Sequence, residues 1–329
     1  MLRIIPSPEF QLSHLITAED IIHTAELIGV AHVVDSQLGE GVNLVTDSLD
    51  PKISRTLFSY DLCSHNVYIY GTIEGVIPKE KQSPKIKCVK VVAASNESAR
   101  RAKESGYDVV GVVYHAVNDV HLYLAKQLSY LYINDLPKDL FKIIVVSSGT
   151  VRKCMDRMIE AVSSLSERIK RKIFMTIVTM DMEIGWKIKD VPTQLAPMGI
   201  FPHTHLMALM SLHDLLLHPS CSEGFGLAVA EANALGVPAI HGDYPPLSNE
   251  VGPHNLMFKT TPGRLETAYT DQVYEMYYYD PKDMAELIEY AVENPEAMSE
   301  LRYKVSETWG KKFCLMCTYP NLLKIVKTV

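Results

Sequence analysis

DLLLHPSCSEGFGLAVAEANALGVPAI, residues 214–240, holds a strand, a loop and a helix whose junction is chemically legible. The apolar run Leu215–His218 is a buried strand that stops at Pro219 and Ser220. A short loop, Glu223-Gly224-Phe225-Gly226, then opens a helix from about Leu227 that ends at Gly236, with Pro238 just beyond, as helix stops do. A glycine-rich turn at a helix start presents free backbone N–H groups and the positive end of the helix dipole to an anion. Gly224 and Gly226 let a phosphate approach the backbone closely. Glu231 follows Glu223 by eight residues, about 12 Å along a continuous helix. The carboxyl pair of a glycosidase lies about 5–9.5 Å apart, so this spacing better suits two acceptors on different parts of one elongated ligand. The alternative is an alanine-rich packing helix with a solvated glutamate at each end.

Around this stretch, the residues from Lys142 to the end alternate short β-rich runs with helical patterns. KIIVVSS (142–148) is a strand, and TVRKCMDRMIEAVSSLSERIK is a helix with Met155, Met158, Ile159 and Val162 on one face. The strand KIFMTIVT, the helix HLMALMSLH, the strand DLLLHPS, the helix GLAVAEANALG and the strand PAIHG follow. This alternation predicts a doubly wound parallel sheet that binds ligands at the carboxyl ends of its strands. At one such end, the strand closing on Gly149 leads into a helix beginning near Thr150 or Val151. Arg152 and Lys153 fall in its first turn, where cations oppose the dipole and an anion would reverse the penalty. The N-terminal half is less regular but built alike. In it HVVDS, VNLVTDS, NVYIYGT, CVKVVAAS and DVVGVVYH are strands, and NESARRAKESGYD is a helix ending at Gly106. Asn134, Asp135 and Pro137 break the pattern and mark a boundary. The expected organisation is a first domain over residues 1–140, a second over 141–305, and a helical segment over 306–329 that packs back across the first.

The chain has 329 residues, 47% hydrophobic and 22% charged, which suits two globular domains. A net charge of −7 argues against nucleic acid as a partner, and no apolar run approaches the ~18 residues that span a bilayer. No D-x-D motif of the kind that chelates a metal for a diphosphate is present. Six cysteines scattered along the chain read as reduced thiols of a cytoplasmic protein. Within Cys314-x-x-Cys317 both cysteines read as part of a helix's apolar face. His203 and His205 read as loop residues.

These motifs together resemble the retaining GT-B glycosyltransferases of group 1, the set that includes bacterial mannosyltransferases and sucrose and glycogen synthases. The resemblance rests on G-x-x-R-K (Gly149 to Lys153), D-x-L-L-H-P-S (Asp214 to Ser220), E-G-F-G-L-x-x-x-E (Glu223 to Glu231), A-L-G-V-P (Ala234 to Pro238) and Glu250. It implies an α/β fold of two Rossmann-like doubly wound domains facing each other across a cleft, the N-terminal one short. It implies transfer of a sugar from a nucleotide-diphosphate sugar to an acceptor hydroxyl, with retention and with no required metal or bound cofactor. It places Gly149, Arg152 and Lys153 on the donor diphosphate and Glu223 and Gly224, Phe225, Gly226 and Leu227 at the donor sugar and phosphate. Glu231 takes the ribose hydroxyls, and Glu223 and Glu74 are the candidate catalytic carboxylates.

Two features depart from the family pattern. MLRIIPSPEFQLSHL has no glycine where the family has a glycine-rich loop, and the acceptor-side residue is open among Glu74, His65 and His115. The acceptor itself is open among a glycan, a lipid and a small molecule. KEKQSPKIKCVK, with Lys79, Lys81, Lys85, Lys87 and Lys90, then Arg100, Arg101 and Lys103, reads either as a patch for an anionic acceptor or peripheral membrane contact, or as a solvated lysine loop. A nucleotide-sugar epimerase and a catalytically inactive nucleotide-sugar-binding protein are the rival functions.

Overall fold

Leu215, Leu216 and Leu217 are fully buried, as befits a parallel strand covered on both faces. The computed structural model describes residues 1–9 and 12–328. The chain begins with β1 (Leu2–Ile5), α1 (Leu12–Leu27), β2 (His32–Val34), β3 (Val42–Thr46), α2 (Arg55–Ser59), β4 (Asn66–Gly71) and β5 (Gly75–Val76). It continues through β6 (Val89–Ala93), α3 (Asn96–Glu104), β7 (Asp108–Val112) and α4 (Asp119–Leu128). All of these strands except β5 form a parallel sheet in the order β2-β1-β3-β4-β6-β7.

The second half runs β8 (Phe141–Ser147), α5 (Met155–Ser164), α6 (Glu167–Lys170), β9 (Ile173–Thr179), α7 (Ile184–Lys187), β10 (Thr193–Pro197), α8 (His203–Ser211), β11 (Leu215–Leu217), α9 (Leu227–Ala234) and β12 (Ala239–Gly242). After β13 (Leu256–Phe258) come β14 (Thr261–Leu265), β15 (Val273–Tyr278), α10 (Pro281–Glu293), α11 (Pro295–Lys312) and α12 (Leu315–Thr328). The second sheet, also parallel, has the order β10-β9-β8-β11-β12-β13. Counted by appearance this is 3-2-1-4-5-6, the dinucleotide-binding order, whose switch point falls between β8 and β11. Two Rossmann-like domains therefore make up the fold. α12 lies on the first sheet: Leu322, Leu323 and Val326 are buried with Ile4, Ile21 and Leu44, and Ala116 N donates to the Tyr319 hydroxyl at 3.1 Å.

A third, small sheet ties the halves together. The antiparallel pair β14–β15 extends from the second half, and β15 pairs with β5 of the first, Val273 facing Val76 and Tyr274 facing Gly75. Asp50 anchors the same hairpin, accepting from Asp271 N at 3.0 Å and Gln272 N at 2.9 Å.

The cysteines correct the expectation of reduced thiols. All six are paired, Cys63–Cys88, Cys154–Cys221 and Cys314–Cys317, at Cα separations of 4.8, 5.9 and 5.0 Å, within the range a disulfide spans. Scatter in sequence hid the first two pairs, because parallel strands bring distant segments together. Cys314 and Cys317 bracket the first turn of α12 rather than merely lining its apolar face. The cysteine pattern thus gives no argument for a reducing compartment. Among the described residues no helix is long and apolar enough to cross a membrane.

The lysine stretch is largely engaged within the molecule. Lys85 Nζ donates to the carbonyls of Phe58 and Tyr60, both at 2.7 Å, closing the end of α2. Lys81 pairs with Glu266 at 3.3 Å, and Lys90 lies over the Tyr68 ring, 5.2 Å from its centroid. Lys79 and Lys87 stay exposed to solvent.

Candidate donor site at the domain junction

The two loops flanking the switch point meet. After β8, Val151–Lys153 forms a 3₁₀ turn, and Cys154 is left-handed at φ 46° before α5 starts at Met155. Arg152 and Lys153 thus precede the α-helix instead of occupying its first turn, which corrects the boundary expected from the pattern. After β11, Gly226 caps α9 with φ 99°, and a Cβ there would lie 2.4 Å from Leu247 Cδ2. Only glycine satisfies both demands. The Cys154–Cys221 disulfide staples the two loops, beside a Cys221 N–H that donates to Arg152 O at 2.9 Å.

Glu223 is the centre of the arrangement. Its Oε1 accepts from Lys153 Nζ and lies 3.0 Å from His218 Nε2, while Oε2 is 3.7 Å from Arg152. Arg152 also reaches Glu74 Oε1 at 3.3 Å and donates to Ser222 O at 2.8 Å. Burial pushes the Glu223 carboxyl up, but Lys153, His218 and Arg152 outweigh it and hold it well below the usual carboxylate range. Burial lowers Lys153, reinforced by Arg152 and opposed by Glu223. His218, at the end of β11, is likewise lowered by burial against the pull of Glu223. The sequence motif contains His218 but gives no sign that it faces Glu223.

The first domain closes directly on this loop. Ser95 caps α3 and also donates to Gly224 O at 2.6 Å; Ser98 adds a second bond at 2.9 Å. A Cβ on Gly224 would come within 2.5 Å of Thr72 Cβ, so this glycine permits the approach of the domains. Arg101, fully buried, donates to Glu223 O at 2.8 Å and pairs with Glu275 at 2.8 Å. Glu250 Oε2 accepts from Asn96 N at 3.0 Å, a carboxylate at the start of α3, where the dipole favours it.

Glu74 is carried in by the bridging sheet. Its N–H donates to Gln272 Oε1 at 3.0 Å, and its carbonyl accepts from Glu275 N at 3.2 Å and Ser222 Oγ at 3.1 Å. His65 takes no part: it precedes β4, at the amino end of the sheet, opposite the junction. His115 is buried against Phe225 and Tyr70, with ring centroids 5.1 and 5.2 Å apart, and burial pushes it down to about 3. Phe225 is itself core, packed on Tyr114 and Phe313 as well. Glu231, on α9, meets His203 Nε2 at 2.7 Å. His203 and His205 both lie on α8, not on a loop: the segment after Pro202 turns directly into helix, and His205 bonds the Tyr132 hydroxyl at 2.7 Å. Two open cavities lie away from this cluster, one beside Arg157, Lys259 and Tyr278, the other beside Arg100, Arg264 and Glu275. Neither joins a cation pair to a buried carboxylate on the switch point. Among the described residues no group of three or more His, Cys, Asp or Glu side chains is placed to hold a metal.

A sequence profile of the family described as "Glycosyl transferases group 1" matches residues 132–308. The chain belongs to that glycosyltransferase family. "Uncharacterized glycosyltransferase 335" of Sulfolobus islandicus rod-shaped virus 1 is 26% identical over 253 residues, 72% of this chain and 74% of that protein. The lipopolysaccharide glucosyltransferase WaaG of Escherichia coli is 30% identical over 105 residues, 30% of this chain and 27% of that one. Among solved structures, WaaG superposes with a TM-score of 0.69 at 12% identity, covering all of both chains. HepE of Anabaena, solved with UDP and glucose, gives 0.69 at 13% identity over 100% of this chain and 99% of that one. These structures establish the two-domain GT-B fold.

The disulfide between the two loops is expected to be structural. Replacing Cys154 and Cys221 together by serine should lower the unfolding free energy by about 2–4 kcal/mol. Denaturant titration under non-reducing conditions measures it; an unchanged midpoint would show that the loops are held without the cross-link.

Proposed function

We propose that this glycosyltransferase moves a sugar from a nucleotide-diphosphate sugar to an acceptor hydroxyl, with retention at the anomeric carbon and no required metal. The observation that carries the reading is the convergence of Arg152, Lys153, Glu223 and Glu74 at the switch point of the second sheet. Lys153 and Arg152 lie where a diphosphate would meet the β8 loop, and the N–H groups after Gly224 would meet it from α9. Glu223 accepts from hydroxyls of the donor sugar, Glu231 from the ribose, and Glu74 faces the site from the acceptor-side domain.

In the transfer, the bond between the anomeric carbon and the diphosphate oxygen breaks as the acceptor oxygen bonds that carbon from the same face. The acceptor proton passes to the departing phosphate oxygen. Charge builds on the leaving diphosphate, and the buried cations stabilise it more strongly than water could. Glu223 occupies both cations through its carboxylate, so donor binding exchanges part of one ion-pair network for another. Because α3 closes on the Gly224 carbonyl, admission of a donor requires the domains to part, a hinge motion common in two-domain enzymes. The HepE structures contain UDP and UDP-glucose, which makes uridine donors the first to try here.

Calorimetric titration with UDP, GDP and ADP tests the binding half of this reading. Lys153→Ala is expected to weaken the preferred diphosphate by about 1.5–3 kcal/mol, the range for a hydrogen bond to a charged group. Unchanged affinity would make Lys153 only the counter-ion of Glu223.

A further inference from the structure

Glu231 does not stand alone. His203 Nε2 lies 2.7 Å from its Oε1, on a helix that takes no part in the cluster at the switch point. Both side chains are largely buried, 15% and 8% exposed. His121 of α4 packs edge-on against His203, with centroids 5.4 Å apart. Around the pair, α1 supplies Asp20 and Glu19 and α4 supplies His121, itself near His23. Asp20 is fixed by Asn118 Nδ2 at 2.7 Å.

The geometry points to His203 as a positioning residue of the donor site: it holds Oε1 of Glu231 and leaves the other carboxylate oxygen to a ribose hydroxyl, so that ribose recognition weakens as the imidazole loses its proton. The inference rests on the donor-site reading above. A charge-assisted bond of this kind is stronger than a neutral one. Burial pulls the His203 imidazole down, but Glu231, Asp20 and Glu19 together outweigh it and the net shift is upward. Asp20 is pushed by burial up to about 7, so it gains charge as pH rises through that value and then supports the imidazolium. The sign follows from linkage: a histidine raised in the folded state contributes fully below its ordinary range, and the contribution is lost as pH rises through the raised value.

The test titrates the wild type and two variants with UDP and with 2′,3′-dideoxy-UDP from pH 5.5 to 9, substituting GDP or ADP and its dideoxy form if that diphosphate binds more tightly. Wild type is expected to prefer the ribose form by about tenfold at low pH and to lose most of that preference at high pH. His203→Gln keeps a neutral donor and should show a smaller preference that does not change with pH. His203→Ala should lose it, while binding of the dideoxy form stays the same in all three proteins, which a merely structural defect would not allow. A ribose preference with unchanged pH dependence in His203→Gln overturns the proposal and leaves the donor site intact. Failure of the wild type to bind any of the diphosphates overturns the donor-site reading as well.

Discussion

Glutamine at position 223 is expected to lower kcat by on the order of 10²–10³, the cost of removing one preorganised electrostatic contact at a reacting centre. The carboxylate is surrounded by Lys153, Arg152 and His218, and in the proposed donor site neutralising it would change the field at the point where the glycosidic bond breaks. Glutamine preserves the shape but offers a single acceptor oxygen and no charge. Glu231→Gln is expected to act differently, since the proposed ribose contact would be equal before and during transfer: donor KM should rise while kcat stays within about threefold. Steady-state kinetics on the two variants separates these outcomes. Full activity in both would remove the two carboxylates from the donor site.

Arg101→Ala is expected to cost about 1.5–3 kcal/mol of stability, the range for losing hydrogen bonds of a charged group and leaving a buried acceptor unsatisfied. The side chain is fully buried between the domains. Removing it strands the Glu223 carbonyl and leaves Glu275 with Arg100 as its remaining arginine partner. Arg101→Lys recovers only part of the loss, because an ammonium cannot serve Glu275 and the Glu223 carbonyl with the geometry of a planar fork. Thermal and denaturant unfolding measure the effect. A change below about 1 kcal/mol would show that the junction is held by other contacts.

The second sheet was legible because its strands are short apolar runs cleanly separated by helices, and because one glycine loop sits at a strand's carboxyl end. Residues 193–197 and 256–278 were not. The edge strand TQLAP lacks an apolar run, and the Tyr-rich β15 makes sense only once it is paired with β5, nearly 200 residues away. That pairing is what delivers Glu74 to Arg152, so no local pattern could choose Glu74 over His65 or His115. Glu223, Arg152 and Lys153 could be named from the motif alone. His218 and His203 could not, because a histidine ending a strand or opening a helix looks the same whether it faces a carboxylate or solvent. The cysteines misled for a related reason: disulfide partners 67 residues apart become neighbours only through the sheet order. The lysine run showed charge density but not the carbonyls and rings that occupy several of its members.

Whether this protein turns over a sugar nucleotide is decided by the release of nucleoside diphosphate from a panel of UDP-, GDP- and ADP-sugars, followed by chromatography with and without candidate glycan and lipid acceptors. At least one donor is expected to be consumed, slowly by hydrolysis and faster with acceptor, and Glu223→Gln and Lys153→Ala are expected to slow its turnover. No consumption of any donor by the wild-type protein, or equal turnover by the wild type and both variants, would contradict the assignment of a donor site at the domain junction.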